Sequence, residues 1–464
     1  MLRARVVTMG VLGGALCVSA YRFGARALGR RALGLRASAS SAIGSPLPRA
    51  AEHGRCIYLD YQATSPVWPE VAEAAIPYLT HHWGNPSSGH AFGRPCATAV
   101  SHARSAVAQL IGAAHPDEII FTGCGSEADN HAILGVIEDY EARQRQGGRG
   151  GGAPLPHVVT SNIEHPAITE CLEALRAAGR LEVSYVPVDE EGRVAAAAVT
   201  AALTEHTVLV TVMLSNNEVG AVQDLGAISK ACKAARPGVL VHTDAAQSIG
   251  KLPVSVDALG VDMLTLVGHK FGAPKGVAAL YVRQESAPLT GGASGARKLP
   301  NFVHGGGQEG GRRAGTECVV LLVALGRAAE IAISEADELA AHMRATRDRL
   351  ESLLATGLRE AGLGEVRRNG PAAEEHRLPN TLSLGIRGVR ASELLAALSE
   401  DVAASAGAAC HTDATSVSAV LRAMRVPHEY AVGTLRLSTG RHTSFEEVER
   451  AAALIIAQAK RQQH

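Results

Sequence analysis

The chain of 464 residues balances 45 lysines and arginines against 45 aspartates and glutamates, and 46% of it is apolar, which describes a globular protein with room for two or three domains. The charge is unevenly placed: the first 51 residues hold eight arginines, no lysine and no acid, leaving 37 basic against 45 acidic groups in the remainder. An acidic body argues against a nucleic-acid partner. The eight cysteines are scattered, with no Cys-x-x-Cys pair and no Cys/His cluster at zinc spacing, so neither a disulfide scaffold nor a metal site is expected.

From Met1 to about Ala51 the chain is Arg-rich, includes the run Ser38-Ala39-Ser40-Ser41 and lacks acids. That is the composition of a transit peptide, expected to be cleaved or disordered and excluded from the fold. A mitochondrial address is the first expectation, with a plastid or cytoplasmic location as alternatives. The apolar stretch Val6 to Tyr21 is too short and Gly-rich for a stable membrane span, but suits a signal-peptide core ending near Val18-Ser19-Ala20.

Beyond it, Ile57 to Asp60 reads as a short strand and Pro69 to Thr80 as a helix with proline in its first turn. Apolar runs at Glu118–Thr122, His157–Ser161, Val183–Pro187, Val208–Leu214, Val239–Thr243, Met263–Val267 and Val277–Val282 alternate with helical patterns at Ala97–Gly112, Glu127–Arg145, Pro166–Gly179 and Leu225–Ala235. Continuous apolar strands with helices between them predict an α/β fold on a mainly parallel sheet covered on both faces. Gly147 to Pro154 reads as a flexible insertion, and Gly291 to Gly315 as a loop. A long helix broken once is expected from about Val319 through Ala361, then a strand at Asn380–Ile386. A last helix begins at Phe445, where Ser444 and Glu447 have the spacing of a capping box.

Two segments carry chemistry. Val241-His242-Thr243-Asp244-Ala245-Ala246-Gln247 places an acid at a strand's carboxyl end, where open α/β sheets bind their ligands. Gly268-His269-Lys270 follows downstream with a lysine. Pyridoxal 5′-phosphate requires such a pair: a lysine to carry the aldehyde as a Schiff base, and an acid to keep the pyridine nitrogen protonated. Lys270 and Asp244 are the candidates. Thr122-Gly123-Cys124-Gly125-Ser126-Glu127, where a strand passes into a helix, has the makings of an anion site. A third piece, Ser405-Ala406-Gly407-Ala408-Ala409-Cys410-His411-Thr412-Asp413, is a small-residue loop presenting one cysteine.

Taken together, from about Ile57 to about Ala459, these motifs resemble the cysteine desulfurase and selenocysteine lyase family, in the fold group of class V aminotransferases. His-Thr-Asp-Ala-Ala-Gln, Val-Gly-His-Lys-Phe and Gly-Ala-Ala-Cys-His are most similar to the selenocysteine lyase branch. The resemblance implies a type I pyridoxal-phosphate fold, with a large cofactor-binding domain over 66–325. A smaller α+β domain from 52–65 and 326–464 would carry the Cys410 loop. Gly125, Ser126, His269 and Thr316 fall at phosphate contacts, Thr316 in relatives from the neighbouring subunit, so a homodimer is expected. His165 matches the histidine that stacks on the cofactor ring and shuttles protons, Gln247 the partner of its phenolic oxygen, and Asn217 a residue near cofactor and substrate carboxylate. Arg436 corresponds to the arginine for the substrate carboxylate, a task suited to a bidentate guanidinium. Arg441 is the nearby competitor.

The implied reaction frees L-alanine from L-selenocysteine or L-cysteine, with Lys270 moving the α-proton and Cys410 acting on the chalcogen, which a selenium or sulfur acceptor protein could then take. Two departures bear on the substrate. Relatives in the desulfurase branch have serine where this chain has Val267, and strict selenocysteine lyases have an acid directly after the stacking histidine, where this chain has Pro166. Selenocysteine lyase is the expectation. Cysteine desulfurase supplying persulfide for iron-sulfur or thio-cofactor assembly is the alternative, and a class V aminotransferase, which needs no Cys410, the second.

Overall fold

A computed structural model describes residues 56–146, 154–284, 299–363, 366–406 and 417–463. The presequence, the Gly147 to Ala153 part of the insertion, the first part of the 291–315 loop and Cys410 lie outside the described residues. Seven strands form the main sheet: β2 (Ile119–Thr122), β3 (His157–Ser161), β4 (Glu182–Val186), β5 (Thr207–Thr211), β6 (Leu240–Asp244), β7 (Met263–Val267) and β8 (Ala278–Val282). They lie in the order β2-β8-β7-β6-β5-β3-β4. The strands from β3 to β7 pair in parallel, and β8 runs antiparallel between β7 and β2, so the sheet is largely parallel.

Period-two alternation makes both faces apolar. Val159, Val210, Val241, Leu264 and Leu266 enter a core covered by helices at Gly93–Ile111, Leu225–Ala235 and Val319–Ser334. Their neighbours Val158, Leu209, Leu240 and Met263 enter a second core under helices Gly125–Gln146 and Pro166–Ala177. His242 and Asp244 alternate in step with Leu240, which places them on this second face.

A separate core gathers Ile57, Leu59, Leu350, Leu354, Leu384, Leu435 and Ile455. It is built on the antiparallel sheet of β9 (Val366–Asn369), β10 (Thr381–Ile386) and β12 (Thr434–Ser438), under helices Ala336–Glu360 and Phe445–Gln463. The short strands β1 (Ile57–Tyr58) and β11 (Val402–Ala403) pair in parallel. The expected long helix breaks once, at Glu335, and the first helix breaks at Ile76 because Pro77 offers no backbone N–H. Ser444 and Glu447 make the reciprocal capping bonds at 3.1 and 2.8 Å.

The Gly-rich loop is pinned to the main sheet at Glu309, whose backbone sits at φ +53. Its carboxylate takes both Arg104 guanidinium nitrogens at 2.6 Å and the Phe121 N–H at 2.9 Å, while Arg104 also stacks over the Phe121 ring. The Glu309 side chain is only 3% exposed. Removing its cation strands a buried charge, so Arg104→Leu is expected to destabilise the protein by about 3–5 kcal/mol. A urea midpoint within error of wild type would contradict the clamp.

Candidate active site

Lys270 ends a short 3-10 turn, Gly268–Lys270, at the carboxyl end of β7. Its Nζ donates to the backbone carbonyls of Gln62 at 2.7 Å and Ala63 at 2.8 Å. The two turns are clamped together. Ser65 N donates to the His269 carbonyl at 2.7 Å, and Ser65 Oγ donates to the same oxygen and accepts from Gly272 N at 2.8 Å. His269 Nδ1 meets Thr64 Oγ1 at 3.0 Å. Gly272 has φ +85, and a Cβ there would lie 2.2 Å from the Trp68 ring, so only glycine lets the 65–68 segment close over the lysine turn.

Asp244 ends β6, one strand from β7, and its Oδ1 accepts from Ala246 N at 2.9 Å. Burial raises its pKa, opposed by that N–H, His165 and Lys270. His165 caps helix Pro166–Ala177: Nδ1 accepts the Ala167 N–H at 3.1 Å, so the neutral ring carries its proton on Nε2. Burial lowers the His165 pKa. His269 is pushed down to about 4 by burial and by Lys270, Lys275 and Lys251, and is neutral at pH 7. Gln247 donates from Nε2 to the Gln62 carbonyl at 3.1 Å, while its buried Oε1 has no partner among the described residues.

Arg436, on β12, is 3% exposed and pairs with Asp60 at 3.0 Å. It also donates to Ser405 Oγ at 3.0 Å and to the Asn217 carbonyl at 3.3 Å, leaving Nε buried and unpaired among the described residues. Asn217 and Arg436 therefore meet. Arg441 instead joins Glu70 and Glu335 and lies over Trp68. Ser405 and Ser418 bracket the undescribed segment that holds Cys410. Ser405 is bonded to Asp60 and Arg436, and Ser418 to Glu218, the residue after Asn217.

Gly125 and Ser126 open helix Gly125–Gln146, where first-turn N–H groups lack intrahelical acceptors. A Cβ on Gly125 would lie 2.7 Å from Val267 Cγ2, so the turn is bare because β7 ends in valine. Glu127 accepts Gly123 N at 2.7 Å and Arg313 Nε at 2.8 Å, tying the Gly-rich loop to this turn within one chain. Ser126 and Thr316 are exposed and make no side-chain hydrogen bond among the described residues. The donor set fits a phosphorylated pyridine aldehyde: an amine, a carboxyl at the adjacent strand end, an orphaned amide oxygen and a bare helix N-terminus.

Sequence reasoning missed Gln62, Ala63, Asp60 and a buried polar layer under Asp244. There His242 bonds Thr211 at 2.9 Å and Thr265 at 3.2 Å, with Asp129 at 3.8 Å. Glu164 accepts both Ser161 Oγ and Met213 N. A buried His242 two residues before Asp244, and so on the same face of the strand, was the available signal for the layer, whereas no pattern marks the Gln62 turn.

Two expectations follow. Gly125→Ala should destabilise the protein by about 1–3 kcal/mol, and most of that loss should vanish in a Val267→Ser background; equal losses in both backgrounds, by urea unfolding, would refute the Gly125–Val267 contact. Burial pushes the Glu164 carboxyl up from 4.5 to about 8. A folded state that holds a proton the unfolded chain has released loses stability as pH rises through that window. Glu164→Gln should therefore gain stability relative to wild type from pH 4.5 towards about 8, and a pH-independent difference would reject the protonated acid.

Residues 57–451 match the family described as aminotransferase class-V. The chain is 38% identical over 395 residues to the cysteine desulfurase IscS of Dictyoglomus turgidum, covering 85% of this chain and 92% of that protein. It is 39% identical over 421 residues to the selenocysteine lyase of Bos taurus, covering 86% and 92%. A solved NifS-like protein superposes with a TM-score of 0.74 at 34% identity, over 87% of this chain and 98% of that one. The chain belongs to the pyridoxal-phosphate-dependent class-V aminotransferase family, in the group of cysteine desulfurases and selenocysteine lyases, and is an enzyme of the type I α/β fold.

Proposed function

We propose that this chain is a cysteine desulfurase that takes the sulfur from L-cysteine, leaves L-alanine and passes the sulfur to an acceptor protein. The observation that carries the reading is the placing of Asp244 and the Lys270 turn at the ends of paired strands β6 and β7, with Gln247 bonded to the same carbonyl as Lys270. Gly125, Ser126, His269 and Thr316 would hold the cofactor phosphate, Asp244 the ring nitrogen, Gln247 the phenolic oxygen and His165 the ring face. When bound, the cofactor supplies an electron sink for charge developing at the substrate Cα.

The protein's own groups do the rest. Arg436 receives the α-carboxylate, with Asn217 beside it, and the neutral Lys270 amine removes the α-proton. The Cys410 thiolate attacks the substrate sulfur: an S–S bond forms, the Cβ–S bond breaks, and its electron pair stays on the carbon, which is then protonated. The product on Cys410 is a persulfide.

Selenocysteine lyase is the second reading, favoured by similarity to the bovine lyase. Against strict selenium preference stands Pro166 at the first position of its helix, whose side chain offers neither charge nor hydrogen bond beside His165. We also propose a homodimer and an organelle address in the leader. Among the described residues no helix is long and apolar enough to cross a membrane.

Lys270→Ala should abolish turnover, and Asp244→Asn should cut it by orders of magnitude while the cofactor stays bound, because an amide cannot hold the pyridinium. Near-normal activity in either rejects the assignment. Cys410→Ser should lose cysteine turnover almost completely, while Pro166→Asp should raise the selenocysteine-to-cysteine ratio of kcat/KM. Cysteine turnover that survives in Cys410→Ser would sink the desulfurase reading.

A further inference from the structure

The proposed reaction gives Asp60 no part, yet its carboxylate holds the arginine meant for the substrate. Asp60 Oδ1 accepts from Arg436 Nη2 at 3.0 Å and from Ser405 Oγ at 3.0 Å, and Ser405 Oγ accepts from the same Nη2 at 3.0 Å. Nη1 donates to the Asn217 carbonyl at 3.3 Å, and Nε is buried without an acceptor among the described residues. A guanidinium offers a carboxylate two forks, Nε with Nη2 and Nη1 with Nη2. Nη2 stands on both, and its two hydrogens are the ones that Asp60 and Ser405 take. No incoming carboxylate can therefore grip Arg436 at two points unless Nη2 gives up one of these contacts.

The Asp60 contact is built to be exchanged. It joins one oxygen to one nitrogen, without the second parallel bond of a fork, so a carboxylate that takes Nε and Nη2 together forms the stronger pair and also satisfies the orphaned Nε. Asp60 is not stranded on leaving, because its side chain is 18% exposed and Ser405 Oγ can keep donating to it. Arg436 does need a partner when no substrate is present, since an unpaired buried cation is strongly destabilising. Both backbones are fixed. Tyr58 Oη donates to the Asp60 carbonyl at 3.1 Å, Asp60 bridges to Ser438, and Ser405 and Arg436 exchange backbone bonds at 2.7 and 3.3 Å. Only the Asp60 side chain has to turn.

We propose that Asp60 is an internal carboxylate that holds Arg436 in the free enzyme, yields it to the α-carboxylate of the substrate and takes it back as L-alanine leaves. Asp60 is then a positioning residue whose charge weakens the binding of substrate and product alike, because the arginine is ready for a ligand only in the fraction of molecules where Asp60 has let go. The proposal rests on Arg436 as the receiver of the substrate carboxylate.

Two probes separate the outcomes when titrated into the holoenzyme and followed by cofactor absorbance: L-alanine, which keeps the carboxylate, and cysteamine, which has the amine and thiol without it. In Asp60→Asn the dissociation constant of L-alanine and the KM for L-cysteine should both fall by about three- to tenfold, while cysteamine binds as it does to wild type. A residue that merely supported the fold would weaken both probes when replaced. L-Alanine binding that is unchanged or weaker in Asp60→Asn overturns the proposal, as does an equal shift for cysteamine. Arg436→Gln should weaken L-alanine by about tenfold or more and spare cysteamine. If Arg436→Gln leaves L-alanine binding unchanged, the reading of Arg436 fails and the proposal with it; if it weakens binding while Asp60→Asn changes nothing, only the role of Asp60 fails. If Asp60→Asn does not fold, crystal structures of the wild-type holoenzyme with and without L-alanine decide. Asp60 Oδ1 should lie beyond hydrogen-bond reach of Arg436 in the complex, and a contact kept at 3.0 Å overturns the exchange.

Discussion

The Lys270 ammonium held by the Gln62 and Ala63 carbonyls is the contact on which the site depends, because it joins two separately built cores. Lys270 belongs to the main sheet, placed by β7. Its acceptors hang from the other core: Gln62 N donates to Ser438 Oγ at 2.9 Å and its side-chain amide to Thr381, on β12 and β10. The same turn supplies Asp60 to Arg436. One short segment therefore positions Lys270 and Arg436 against each other. A backbone carbonyl suits this role, since it accepts from an ammonium but gives it up without leaving a buried charge behind.

The sheet explains why the groups proposed for the cofactor come from consecutive strand ends. Parallel β6 and β7 deliver Asp244 and the Lys270 turn to one edge, and the helix after β2 brings its open N–H groups beside Val267. Gly125 and Val267 form one steric unit. With valine at that position the turn must be glycine, so departure from the serine of desulfurase relatives and the bare helix N-terminus are two sides of one packing choice.

Much of this was legible in the sequence, for a physical reason. Strands buried on both faces write themselves as unbroken apolar runs, and the residue that ends such a run stands at the ligand edge. Asp244 and Lys270 were readable on that basis, as were the break near Glu335 and the cap at Ser444. The Gln62 turn was not, because it works through backbone carbonyls, which no side-chain pattern announces. Lys251 reads as an ordinary lysine after Gly250. Its burial follows from the distant segments around Tyr61 and Asn380 folding over it, a contact between residues far apart in the chain.

The buried acids show how the site keeps charge where it is needed. Asp129, Glu164 and Asp244 lie close enough to influence one another, and burial raises all three. Asp244 differs in having the Lys270 amine and the His165 ring beside it, both of which draw its pKa back down. Like charges in a dry space cannot all ionise, so the negative charge settles on the acid with Lys270 beside it, and Asp129 and Glu164 retain their protons. His242, pushed down to about 3 by burial, stays neutral and can take no proton from them. The layer under Asp244 is thereby a set of neutral dipoles, which fixes the carboxylate without competing for its charge.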